Sequence, residues 1–89
     1  MEMATTGERF GKIRREHVEQ ACRELMASGA PKGGGSYFVR FDGRELPAKR
    51  VLRDAYRHAN EREIEAKDFS GGQFVAKILQ RLGFEVVVH

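Results

Sequence analysis

Apolar and polar positions along this chain fall into blocks of different period. Between Arg15 and Ser28, residues Val18, Ala21, Cys22, Leu25 and Met26 recur three and four apart, which lines one face of a helix. Gly29 is a natural stop behind it. Ile13, just ahead, is placed to pack back on the first turns as a staple. Ala30 to Gly35 reads as a glycine-rich loop. From Ser36 to Phe41 the period changes to two, with Tyr37, Val39 and Phe41 alternating with Phe38 and Arg40. Asp42-Gly43 then gives a strong hairpin signal, and Arg44 to Leu46 is the returning strand. Pro47 cannot donate to a ladder and is expected in the first turn of a second helix, Pro47 to Ala59. Val51, Leu52, Ala55, Tyr56 and Ala59 form its apolar face, and Asn60 can end it. Glu61 to Lys67 is a polar connection apart from Ile64 and Ala66. A third helix is expected from Gly71 to Leu82, with Phe74, Val75, Ile78, Leu79 and Leu82 inward. Gly83 stops it, and Phe84 to Val88 reads as a last strand.

The order helix, hairpin, helix, helix, strand is that of a small α+β domain. The two hairpin strands and the last one form a three-stranded sheet with helices packed on one face. Residues 1–12 carry no periodic pattern and read as a flexible lead-in, leaving 13–89 as the domain. The expected core contains Val18, Leu25, Phe41, Leu52, Tyr56, Phe74, Ile78, Leu82 and Val86.

Eighty-nine residues support one core. No run approaches the roughly 18 apolar residues of a membrane span, and the first residues lack the apolar stretch of a signal peptide. Cys22 is the only cysteine, so no internal disulfide and no cysteine-based zinc site can form. A reducing, cytoplasmic setting fits.

Net charge is +3, a mild bias whose distribution says more than its size. Residues 1–31 and 58–89 sum to zero and −1, whereas residues 32–57 sum to +4. That middle third holds Lys32, Arg40, Arg44, Lys49, Arg50, Arg53 and Arg57. Arg50, Arg53 and Arg57 share a helix face at i, i+3 and i+7, and Lys49 lies one turn before Arg53. Arginine is the better fork for phosphate. The stripe reads either as contact with a nucleic-acid backbone or as a solvated face with Asp54 and nearby glutamates as partners. Lys49 can instead pair with a carboxylate at the hairpin–helix junction.

Asp68-Phe69-Ser70-Gly71-Gly72-Gln73 is a helix start of unusual composition. Ser70 is a good N-cap, and Gln73 completes a capping box. Two glycines in one turn cost about 1 kcal/mol each against alanine. Such a cost suits a close backbone approach. Either the turn packs against the protein's own sheet, or its free N–H groups meet an anion.

Three segments resemble one known family. Phe41 to Leu52 is similar to its "DG-x-x-Y-x-x-K-x-[IV]" segment, with Lys49 at the lysine. Asp68-Phe69-Ser70-Gly71-Gly72 followed by Leu82-Gly83-Phe84-Glu85-Val86 resembles its "DFSGG…LGFEV" ending. Ile13 to Val18 resembles its opening. The family is the N-terminal head domain of McrA-like, modification-dependent HNH restriction endonucleases, and the resemblance spans about residues 13–88. Leu46 stands where an aromatic is common, and Arg14 where a capping threonine is common. The resemblance implies a DNA-associated accessory module of prokaryotic defence, whose nuclease and modified-base reader are separate, later domains.

No catalytic residues are expected. His17, His58 and His89 are far apart in sequence and make a poor metal set. His17 reads as solvated, and His58 as a cation at the negative end of its helix. Cys22 belongs to an apolar face. The acidic group Glu61, Glu63, Glu65 and Asp68 reads as a solvated loop, and Gly33-Gly34-Gly35 lacks the Lys-Ser/Thr of a phosphate-binding loop. The chain is therefore read as non-enzymatic, without metal or cofactor. Its candidate DNA-binding residues are Arg40, Arg44, Lys49, Arg50, Arg53, Arg57, Ser70, Gly71 and Gly72. Competing readings are a protein-interaction or dimerisation domain, binding another protein or other domains of the same chain, and a free-standing small regulator.

Overall fold

The spacing of Val18, Ala21, Cys22 and Leu25 coils into α1, Arg15–Ala27, which buries all four. The computed structural model describes residues 10–29, 36–64 and 73–89. Ile13 and Val18, the two staple positions around the helix start, are both buried. Ser28 and Gly29 close α1. The Ser28 hydroxyl donates to Leu25 O at 3.0 Å, and Gly29 takes a φ of +86°.

The hairpin forms as its composition dictates. Strand β1, Tyr37–Phe41, pairs antiparallel with β2, Arg44–Pro47. Asp42 and Gly43 both have positive φ, 53° and 78°, the conformation that matches the strand twist. Pro47 corrects the sequence expectation. It sits opposite Phe38 as the last residue of β2, and the second helix, α2, is Ala48–Asn60. The sheet order is β2-β1-β3, so β2 is an edge strand, where a missing N–H is tolerated. Strand β3, Glu85–Val88, pairs antiparallel with the other side of β1.

Helix α2 runs through Asn60, whose side-chain amide donates to Tyr56 O at 3.1 Å. Glu61 then turns the chain with a φ of 55° and donates its N–H to Arg57 O. Helix α3, Gln73–Arg81, ends in a double backbone cap. The Phe84 N–H reaches Leu79 O at 3.0 Å, and the Gly83 N–H reaches Gln80 O at 2.9 Å. Gly83 has a φ of +91°, which glycine adopts without strain. The expected start of this helix at Ser70, Gly71 and Gly72 lies outside the described residues.

Helix α2 packs on β1 and β2, α3 packs on β3, and α1 packs on α2. Between them lie Val18, Leu25, Val39, Leu46, Leu52, Tyr56 and Leu79, each 2% exposed or less. Phe41, Ile78, Leu82 and Val86 are partly buried at the margin of this core. Phe74 departs from expectation. It is 41% exposed, because Val75, Ala76 and Leu79 take the inward face of α3. Its ring meets Phe10 edge-on, with centroids 5.1 Å apart. Phe10 also stacks edge-on against Tyr56 at 5.1 Å, so the stretch before residue 13 contributes a core side chain. Ile64, in the polar connection, is buried as well.

Candidate nucleic-acid interface

The i, i+3, i+7 spacing of Arg50, Arg53 and Arg57 turns all three toward α1. They line a shallow groove of about 330 Å³ together with Glu24 of α1, Ser28 just after it, Asp54 of α2 and Glu63 beyond α2. Its described lining, three arginines against Glu24, Asp54 and Glu63, is close to neutral. Arg50 Nε lies 3.4 Å from Asp54 Oδ2, and Arg57 Nη2 lies 3.9 Å from Glu24 Oε1. Arg53 has no acidic partner among the described residues. Pairs this exposed are worth roughly 0–1 kcal/mol each and exchange readily for another anion.

Glu24 is the hinge of the groove. It also accepts a hydrogen bond from His58 Nε2 at 2.7 Å, which ties α1 to the end of α2. That bond holds the Glu24 carboxyl below the ordinary carboxylate range, with the His58 and Arg57 charges and a Gln20 hydrogen bond acting in the same direction.

The other candidate residues are placed apart. Arg40 stands in the centre strand between its two cross-strand neighbours, Glu45 and Glu85, at 3.4 Å from each. Two carboxylates thus offset its charge locally. Arg44 is exposed at the start of β2, without an acidic partner among the described residues. Lys49 is exposed in the first turn of α2. Ser70, Gly71 and Gly72 fall outside the described residues, so the anion reading of that turn rests on sequence alone.

Cys22 is fully buried, and burial pushes its thiol up to about 12, where it is not a nucleophile. No group of His, Cys, Asp and Glu among the described residues could hold a metal ion. His17, expected in solvent, is half-buried and structural. Its Nδ1 accepts the Arg14 N–H at 2.8 Å and so closes the start of α1. His89 contacts Glu45 across the sheet edge, and its ring lies 5.3 Å from that of Phe38.

A second groove, of about 400 Å³, was not foreseen from sequence. It runs between the Phe10–Arg14 segment and α3, and Arg14, Lys77 and Arg81 stand at its rim. The i, i+4 spacing of Lys77 and Arg81 was its legible signal.

The family model described as the ScoMcrA-like, N-terminal head domain matches residues 11–88, which takes in every described strand and helix. No curated protein and no solved structure matches the chain.

Proposed function

The chain belongs to the ScoMcrA-like N-terminal head domains of modification-dependent restriction proteins, and from that premise we propose that it is a non-catalytic accessory module that contacts the DNA backbone. One observation carries this reading. Arg50, Arg53 and Arg57 line one groove, and Arg53 lacks an acidic partner there among the described residues. Asp54 and Glu24 lie beside the two flanking guanidiniums without satisfying all five donors of each. A phosphate oxygen can then bind Arg53 directly and share the neighbouring N–H groups. Arg44 and Lys49 extend the same positive third of the chain onto the hairpin and the start of α2.

Contacts of this kind position a protein on DNA and carry no base identity. Sequence or modification preference would then reside in other domains, and this module would add affinity and register. A cytoplasmic setting follows from a DNA partner. Among the described residues no helix is long and apolar enough to cross a membrane. Measurement of duplex binding across a salt series tests the reading. Arg53→Ala should weaken binding to all sequences alike and reduce the salt slope by about 1.

A further inference from the structure

We propose that the groove between the Phe10–Arg14 segment and α3 is a docking site for an acidic peptide segment with apolar anchors, presented by a protein partner. The groove lies apart from the α2 arginine face and, among the described residues, shares no lining side chain with it. Its floor is apolar, made by Phe10, Ile13, Ile78 and Leu82. Phe74 stands at its lip, 41% exposed, one of two large apolar side chains exposed to this degree among the described residues. At about 400 Å³ the groove falls within the roughly 300–1,000 Å³ range of binding pockets.

Charge decides the occupant. Arg14, Lys77 and Arg81 line the groove, and among the described residues no acidic side chain does. None of the three has an acidic partner among the described residues. Arg15, Arg40, Arg50 and Arg57 by contrast sit on Glu19, on Glu45 and Glu85, on Asp54 and on Glu24, while Arg44 and Arg53 are unpaired among the described residues but have no apolar floor beside them. An apolar channel with an uncompensated cationic rim is complementary to a segment that is apolar on one face and acidic on its flanks. An amphipathic helix has that form, with anchors at i, i+3, i+4 and i+7. A duplex backbone would use the rim and leave the apolar floor empty. A single strand would need several exposed rings on which to stack, and among the described residues lining this groove Phe74 is the one exposed ring.

The test uses the full chain, isotope-labelled, and a synthetic helical peptide of glutamate with leucine anchors at i, i+3, i+4 and i+7. A scrambled peptide of the same composition, a lysine counterpart and an oligothymidine strand serve as comparisons. The glutamate peptide should shift resonances of Phe10 to Arg14 and α3 selectively, and bind at least tenfold tighter than the scrambled one. Lys77→Glu with Arg81→Glu replaces exposed side chains and should leave the melting temperature within a few degrees. It should cut affinity for the glutamate peptide at least tenfold and transfer preference to the lysine peptide. Equal binding of the scrambled peptide, shifts outside the groove, tighter binding of oligothymidine at the same residues, or no effect of the charge reversal would each overturn the proposal.

Discussion

The Arg15 guanidinium lies over the Phe84 ring, 4.7 Å from its centroid, and so joins the first turn of α1 to the start of β3. Its Nη1 also donates to Leu82 O at 3.0 Å, and its Nε pairs with Glu19 at 3.4 Å. One exposed side chain therefore holds the turn that leads from α3 into the sheet. A cation over a ring at an exposed site contributes about 0.5–1 kcal/mol.

Gly83 lies under the same guanidinium. A Cβ built there would come 2.5 Å from Arg15 Nη1, and the φ of +91° disfavours any L side chain. Gly83→Ala should lower stability by about 1–2 kcal/mol from the backbone alone, with an added loss as Arg15 is pushed aside. In an Arg15→Ala background the added part should vanish and the backbone part remain. Urea unfolding of the two single variants and the double variant reads this coupling directly. Equal costs of Gly83→Ala in both backgrounds would show that Arg15 does not rest on the turn.

Helix α1 carries half of a capping box. Arg14 occupies the N-cap with an extended backbone, φ −111° and ψ 166°, and His17 Nδ1 accepts its N–H. Its side chain has only donors, so it cannot receive the N–H groups of the first turn. Arg14→Thr supplies the missing acceptor and should stabilise the domain by about 1 kcal/mol. For a chain of this length that is a rise in melting temperature of roughly 4–8 °C. An unchanged or lowered melting temperature would mean that the arginine stem is itself packed to advantage.

The Glu24 bond to His58 gives stability a pH dependence of defined sign. Its carboxyl is lowered on folding, with the His58 hydrogen bond as the largest cause. A lowered carboxylate contributes stability above its unfolded value, and loses that contribution as pH falls through the folded value. Glu24→Gln should therefore be less stable than the parent at neutral pH by a few tenths of a kcal/mol, as for other exposed pairs. The gap should close below the ordinary carboxylate range. Unfolding curves of both proteins at neutral pH and near pH 3 check it, and a gap that persists in acid would assign the effect to packing.

Much of this fold was legible because its signals are local. Period-two alternation, the Asp42-Gly43 turn and the spacing of Val18, Ala21, Cys22 and Leu25 each act within a few residues. Pro47 was misplaced because a proline opening a helix and a proline closing an edge strand leave the same trace. Only the strand order distinguishes them. Phe10 gave no signal, since its ring partners Tyr56 and Phe74 are far away in sequence and its own neighbours are polar. Phe74 was expected inward because helical spacing alone cannot decide which border of an apolar face meets solvent. The arginine stripe was visible as spacing. Its near-neutral groove was not, because Glu24 and Glu63 come from other parts of the chain. The glycine pair at Gly71 and Gly72, the strongest local feature of the sequence, remains an expectation outside the described residues.

The most direct test of a backbone-contacting module is the salt dependence of duplex binding by the parent and by the variant with Arg50, Arg53 and Arg57 all changed to Ala. Fluorescence anisotropy of a labelled duplex, titrated at a series of salt concentrations, gives the slope of log K against log salt. Each phosphate neutralised contributes about −0.9 to that slope. The parent should bind measurably at low salt with a steep slope. The triple variant should lose about 2 to 3 units of the slope while keeping its fold, since all three side chains are solvent-facing. Undetectable binding by the parent at low salt, or an unchanged slope in the triple variant, would contradict a DNA role for this face.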